Sequence, residues 1–419
     1  MYFLTDPIED RAKDWLDYKI NYQATFAAQL MYPMVDTYEV MPWPDRIYQG
    51  LYRIAGTDQK ERIPRSYSTQ MQTMVNTLND IRTSDKKITS TQGIGVLMAN
   101  SLMFQRFPNH NGYDDPQFSS FYGQTLPLLK RGIPVELVHM ENTPFKETFK
   151  GLHILVMSYS NMKPMKLEYH LADWVKKGGI LIYCGEDIDP YQTVLEWWNT
   201  EGNEYKAPSE HLFEKMNLSR NPGEGTYRYG KGTVIVMRED PKHFVLKAGN
   251  DQKYFETIAS AYQKKQGIEI ETKNSFIVER GPYTIAAVMD ESVSKEPLTL
   301  SGLYIDLFDK DLPVLTSKQI QPGEQGYLYD LNKVSGKIKA KVLCGASRIY
   351  DEKVSKQSYS FVAKSPINTT NVSRVLLPRK PEKIRVNGKE EQPEWDESSK
   401  TLLLSFENDP AGVNVSIEW

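Results

Sequence analysis

Cysteine is nearly missing from this chain: two in 419 residues, Cys184 and Cys344, in stretches of different pattern. That excludes a disulfide framework and a thiolate metal cluster, and both thiols are expected to be buried. A charge excess is also lacking, with 51 basic against 54 acidic residues and a net charge of -3. Neither a nucleic acid nor an anionic membrane surface is therefore expected as a partner. No run of about 18 apolar residues occurs, so no membrane-spanning helix is expected. Residues 1–7 lack the basic start and long apolar core of a signal peptide. The compartment stays open: periplasmic or extracellular if a parent chain carries such a peptide, cytoplasmic otherwise. There is no internal repeat of about 20 to 50 residues and no motif for a metal or cofactor. What remains is a small or polymeric neutral ligand.

The most informative stretch is the first fifty residues. An apolar run at 2–4 stops at the acidic turn Asp6-Pro7-Ile8-Glu9-Asp10, and a helix-period segment follows at 14–31. A second extended run, 37–41, stops in Pro42-Trp43-Pro44, and another helical segment spans 67–81. Strand, acidic loop, helix, strand, aromatic loop, helix is the pattern of two βα units at the end of a (β/α)8 barrel, where loops after the strands carry the chemistry.

From residue 89 the pattern becomes strict strand and helix alternation. Residues 94–99 form a continuous apolar run, as in a strand buried on both faces. A helix at 118–130 ends in Arg131-Gly132, and strands follow at 135–139 and 152–158. Leu167, Leu171, Trp174 and Val175 recur at helical spacing ahead of a strand at 180–184, then come a strand at 233–237 and a helix at 254–264. Such alternation predicts a doubly wound parallel sheet. Beyond about residue 267, short strands with Pro and Gly turns predict an antiparallel β sandwich, with Asn387-Gly388 as a hairpin turn. The expected division is 1–88, 89–266 and 267–419, the last as one β region or two small ones divided near residue 335.

This order resembles that of the family 42 β-galactosidases, where a barrel is followed by a domain similar to class I glutamine amidotransferases, the trimerisation domain, and then by a small β domain. The resemblance is carried by residues 122–138 with Arg131-Gly132-Ile133, by Gly151-Leu152-His153-Ile154-Leu155-Val156, by residues 174–182 with Gly178-Gly179, and by Tyr229-Gly230-Lys231-Gly232-Thr233-Val234. It covers about residues 90–265. It implies a carbohydrate-active portion of a glycoside hydrolase, retaining in the parent, without a cofactor, and a homo-oligomer, trimer or dimer.

Retaining glycosidases use two carboxyl groups about 5 to 5.5 Å apart. In the resemblance these come from the fourth and seventh strands. If residues 3–6 end the seventh strand and 37–41 form the eighth, this chain lacks one member of the pair; another register makes Glu39 the nucleophile. The candidate catalytic residues are Glu39 and Asp6. Trp43 and Tyr38 offer ring faces for a sugar, and Glu9 and Asp10 polar contacts. Each has a bland alternative: Asp6 fixes a turn, Glu9 and Asp10 cap the helix, Trp43 is a packing wedge.

A competing class is a non-catalytic binding or oligomerisation module whose first 85 residues pack as helices on the α/β domain. A working amidotransferase needs a cysteine on a strand-to-helix turn and a histidine beside it. The turn falls at Met157-Ser158-Tyr159-Ser160, which has none, and Cys184 lacks the surrounding pattern; His139, His153 and His170 read as core or surface histidines. In the β region, Arg280 is expected to form a buried pair with an aspartate of the segment Tyr304-Ile305-Asp306-Leu307-Phe308-Asp309, with Tyr304, Phe308 and Tyr327 as an alternative sugar surface.

Overall fold

The computed structural model describes residues 3–5, 14–32, 34–40, 44–83, 86–87, 91–99, 119–158, 165–187, 202, 204–207, 209–334 and 339–419. They form two compact units. A β-rich unit comprises Met1–Ile88, Ser275–Asp290 and Lys295–Trp419, and an α/β unit comprises Thr89–Asn274 and Glu291–Ser294.

The β-rich unit opens with β1 (Phe3–Thr5), α1 (Trp15–Leu30) and β2 (Tyr38–Val40). Asp14 caps α1, its carboxylate accepting from the Leu16 and Asp17 amides at 3.0 Å each, which satisfies two orphan donors of the first turn. Tyr18, Tyr22, Phe26 and Leu30 recur every fourth residue, so they share one face, and all are buried. Burying each such side chain contributes about 1.5 to 3 kcal/mol. β1 and β2 pair in parallel, Phe3 opposite Tyr38, Leu4 opposite Glu39 and Thr5 opposite Val40. The second expected βα unit is less regular. Between β2 and α3 (Arg65–Thr83) the chain makes a short α2 (Pro44–Tyr48) and an antiparallel hairpin, β3 (Leu51–Arg53) with β4 (Lys60–Arg62). A two-residue strand, β5 (Lys86–Lys87), follows α3.

In the α/β unit, β6 (Ile94–Met98), α4 (Ser119–Leu129), β7 (Glu136–His139), β8 (Ile154–Met157), α5 (Met165–Lys176), β9 (Ile180–Cys184), α6 (Ser209–Lys215), β10 (Gly225–Tyr229), β11 (Gly232–Met237), α7 (His243–Leu246) and α8 (Asn250–Gln266) follow in order. The sheet runs β10-β11-β9-β8-β6-β7, parallel except for β10. Numbered by the five parallel strands alone this is the 2-1-3-4-5 order of a doubly wound sheet. Alternate residues serve opposite faces. Val96, Ile154, Val156 and Ile182 pack with Leu128 of α4 and Tyr254 and Ile258 of α8. Leu97, Leu155, Leu181 and Val236 pack with Leu171 and Val175 of α5 and Phe213 of α6. The hairpin into β11 turns at Gly230, whose φ of 57° and closeness to the Lys176 carbonyl, 2.6 Å from where a Cβ would sit, leave room for glycine alone.

The chain then returns to the β-rich unit through β12 (Ser275–Arg280), β13 (Tyr283–Val288), β14 (Leu298–Asp306), β15 (Val314–Ile320) and β16 (Gln325–Asp330). With β5 they make a six-stranded sheet, β15-β14-β16-β13-β12-β5. The buried faces of α1 and α3 meet Tyr283, Ile285, Ile305 and Tyr327 of this sheet in one core. The competing expectation of helices on the α/β domain is therefore corrected: they cover an antiparallel sheet, because the aromatic stripe of α1 finds its complement in the tyrosines of β13 and β16. Two more sheets close the chain. β17 (Lys341–Gly345), β20 (Thr370–Leu376), β24 (Thr401–Glu407) and β23 (Glu394–Asp396) form one; β18 (Arg348–Val354), β19 (Ser358–Lys364), β25 (Val413–Glu418), β21 (Lys383–Val386) and β22 (Lys389–Glu391) form the other. Their inner faces, with Phe361, Ile384, Leu402, Val415 and Ile417, share one core, the two-layer arrangement of a β sandwich. Asn387 and Gly388, both at positive φ, make the expected hairpin between β21 and β22.

Candidate functional site

β2 carries the two described candidates. Successive residues of a strand face opposite ways, so Tyr38 and Glu39 diverge. Tyr38 is half-buried and Glu39 is exposed. The Tyr38 hydroxyl donates to the Val35 carbonyl at 2.9 Å and accepts from Arg280 Nη1 at 2.6 Å. Arg280 is 0% exposed and also donates to the Leu30 and Val35 carbonyls, at 3.3 Å each. Its guanidinium carbon lies 6.0 Å from the centre of the Tyr38 ring. Burial raises the Tyr38 phenol above its ordinary value, with Arg280 pulling in the opposite direction. Arg280 therefore ties the segment from Leu30 to Tyr38 onto β12, fixing the position of β2. Glu39 makes no hydrogen bond or ion pair to any described residue, so its carboxylate is available to a ligand. Asp6, Glu9, Asp10 and Trp43 lie outside the described residues.

Arg280 was expected to pair with an aspartate of 304–309, of which Asp306 is the buried one. Both are buried, yet Asp306 instead holds Lys318 Nζ at 2.7 Å and the Phe308 amide at 3.1 Å. The two Nη groups of the guanidinium are taken up by two carbonyls and a phenol without a carboxylate. The sugar surface of Tyr304, Phe308 and Tyr327 is corrected as well. Tyr304 and Tyr327 are buried; the Tyr327 ring packs on Phe26, Tyr283 and Phe308 and its hydroxyl donates to Thr77 at 2.8 Å. Those aromatics are core.

The α/β unit carries no thiolate chemistry at its described strand ends. Ser158 follows β8, and its hydroxyl accepts from Gln124 Nε2 at 3.0 Å, which also reaches the Ser120 carbonyl at 2.8 Å. Cys184 at the end of β9 is fully buried and its thiol is pushed far above the usual range by burial, so no nucleophilic thiolate forms. His170 is exposed and His139 and His153 half-buried; burial and Lys265 lower His153. Among the described residues no group of three or more His, Cys, Asp or Glu is placed to hold a metal ion, and no helix is long and apolar enough to cross a membrane.

Two polar clusters of this unit escaped the sequence reading. At the carboxyl ends of β9 and β11, Asp187 accepts from Tyr183, from Ser209 at 2.7 Å and from Arg238 at 2.7 Å. Arg238 goes on to the Gly185 and Pro222 carbonyls and to Asn221. This closed network clamps the strand ends. Deeper, Glu168 of α5 contacts Nδ1 of His211 on α6, both side chains 1% exposed. Burial pushes Glu168 well up and His211 down to about 4, so burial favours the uncharged form of both groups. A charged residue at a helix position inside an apolar pattern was the available signal for Glu168.

No family model matches the chain, and no curated protein matches it. Solved structures do. The β-galactosidase of the haloarchaeon Halorubrum lacusprofundi is similar at 14% identity and a TM-score of 0.41, over 72% of this chain and 50% of that one. That of Bacillus circulans sp. alkalophilus is similar at 10% identity and 0.35, over 62% and 44%. A rhamnosidase from Novosphingobium sp. PP1Y is similar at 10% identity and 0.33, over 96% and 41%. The chain spans about half the length of the solved structures it matches. A similarity at this level assigns neither residues nor an activity.

Proposed function

We propose that the chain is a portion of a carbohydrate-active protein of the glycoside-hydrolase type, with its sugar-facing groups at the ends of β1 and β2. The observation that carries this reading is the parallel register of those two strands. Thr5 and Val40 are paired, so the chain leaves both strands at one edge, just before Asp6 and just before Trp43. Two strands of three residues do not make a stable sheet by themselves, whereas they suit two neighbouring staves of a barrel. In this reading Glu39 or Asp6 supplies this chain's one catalytic carboxylate, Trp43 the ring face, and Glu9 and Asp10 polar contacts, while Tyr38, held by Arg280 on the other face of β2, positions the strand. A β-galactoside is the substrate class in view, with a retaining mechanism in the parent. The second carboxylate of the pair comes from outside this chain, which by itself turns over no glycoside.

The test is hydrolysis of a panel of aryl glycosides, galactosides included, by the folded chain and by Glu39→Gln. The expected result is the same background from both. Turnover that Glu39→Gln abolishes would overturn the single-carboxylate reading and place a complete site here.

A second reading, self-association through the α/β unit, is favoured by an exposed apolar patch. Tyr122 and Leu126 on α4 are 48% and 42% exposed, and Val245 and Leu246 on α7 are 49% and 74% exposed. The two helices pack together, with Gly123 against the Pro241 carbonyl, 1.9 Å from where a Cβ would sit. Exposed apolar side chains on two packed helices are a candidate interaction site. Sedimentation should find an oligomer that Leu246→Glu dissociates; a monomer at high concentration would remove this reading.

A further inference from the structure

The outer face of the five-stranded sheet holds a groove of about 520 Å³ lined by β18, β19, β25 and β21, within the usual range of small-ligand sites. We infer that it is a second ligand site, separate from the strand ends of β1 and β2, and that it takes a neutral sugar of one or two rings. Four residues stand in one row across four strands: Lys353 opposite Ser360, Ser360 opposite Ser416, and Ser416 opposite Arg385. Residues directly opposed in antiparallel strands point to the same face. Here that is the face away from Tyr359, Phe361, Val415 and Ile417, which are buried. The floor is therefore made of short hydroxyl side chains, which leave depth that larger residues would fill.

The chemistry of the lining selects the ligand. The hydroxyls of Ser360 and Ser416, the Asn414 amide and the charged ends of Asp351 and Lys353 make no side-chain hydrogen bond or ion pair to any described residue, so donors and acceptors of both kinds converge on the groove. Arg385 is already neutralised by Glu418 at 2.9 Å. Glu352 accepts from the Tyr359 hydroxyl, so Asp351 and Lys353 are the charges left without a described partner, one of each sign, which favours neither an anion nor a cation. A ring edged with hydroxyls, each able to donate and accept, satisfies such a set. The edge strand is shaped for it: β18 is bulged between Tyr350 and Lys353, and Asp351 sits at a φ of 52°. Bulges at sheet edges re-aim side chains next to functional sites, and a non-glycine residue at positive φ is a strain the surroundings must hold in place. The choice of a sugar over other polyols rests on the carbohydrate reading above.

The experiment is titration of the 419-residue chain with methyl hexosides, disaccharides, myo-inositol and a sulfated monosaccharide, followed by calorimetry and saturation-transfer NMR. Neutral glycosides are expected to bind, and Ser416→Phe, which fills the floor, to weaken them at least about tenfold. Glu147→Gln, at an exposed carboxylate of the α/β unit, is expected to leave this binding unchanged. If Ser416→Phe fails to fold, the Ser360→Ala, Ser416→Ala pair removes the hydroxyls without added bulk and should weaken binding in the same direction. The inference is overturned if no neutral sugar binds up to its solubility limit, if the floor variants bind as tightly as the parent, or if the sulfated sugar or myo-inositol is preferred. Binding lost in Glu39→Gln but kept in the floor variants would overturn the groove while supporting the strand-end site.

Discussion

Glu168→Gln should change how the stability of the α/β unit depends on pH, and the change can be worked from the buried pair. In the folded chain, burial favours the protonated Glu168 carboxyl and the neutral His211 ring, and in that form the pair holds one titratable proton. In the unfolded chain, Glu ionises above about 4.5 and His loses its proton above about 6.5. Between those values the unfolded pair also holds one proton, on the histidine. Stability is then flat with pH, because its slope follows the difference in bound protons. Above about 6.5 the unfolded pair holds none, and stability falls with rising pH. Glu168→Gln removes one side of this balance. His211 alone, with its folded value lowered to about 4, contributes stability that is present above about 6.5 and lost as pH falls toward about 4. The variant should therefore gain about 2 kcal/mol between pH 4.5 and 6.5, where the parent is flat. The groups facing the histidine do not reverse the sign: Glu214 raises its pKa but by less than burial lowers it, and the Tyr205 ring lies edge-on at 5.5 Å. Urea unfolding at pH 4.5, 5.5, 6.5 and 7.5, read by amide protection of β9, measures the slope. A flat profile in Glu168→Gln, or a parent that gains stability from pH 4.5 to 6.5, would refute the uncharged pair.

Other consequences follow from the same geometry. Cys184 should resist thiol reagents at pH 8 while the α/β unit is folded, at a rate set by unfolding; rapid labelling of the native chain would contradict its burial. Arg280→Met should lower the stability of the β-rich unit by about 1 to 3 kcal/mol, because it strands the Leu30 and Val35 carbonyls in the core. Urea unfolding followed by amide protection of β13 reads this, and unchanged stability would show that removing a buried charge offsets the lost bonds.

The α/β unit was the most legible part of the sequence, for a physical reason. Parallel strands covered on both faces are continuous apolar runs, and segments such as 94–99 and 180–184 admit few other readings. The first 88 residues were harder. Tyr18, Tyr22 and Phe26 announce that one face of α1 is buried, but periodicity does not say against what, and the complement lies about 260 to 300 residues on, in β13 and β16. The hairpin of β3 and β4 was missed because strands of three residues carry almost no pattern. Arg280 was correctly singled out as buried, but its partners are two backbone carbonyls and the Tyr38 phenol, which sequence does not distinguish. The row from Lys353 to Arg385 was invisible for a related reason: its members come from four strands, and only the register aligns them.

The central claim is that a glycoside is held at Glu39. Carbodiimide labelling of the folded chain, read peptide by peptide by mass spectrometry with and without an aryl β-galactoside, tests it most directly, since the exposed Glu39 carboxylate is open to the reagent and the Ser360–Ser416 groove is remote in sequence from that peptide. The account predicts that saturating glycoside shields Glu39 while exposed carboxylates such as Glu61 and Glu147 label as before. Labelling of Glu39 that no glycoside in the panel alters would contradict it.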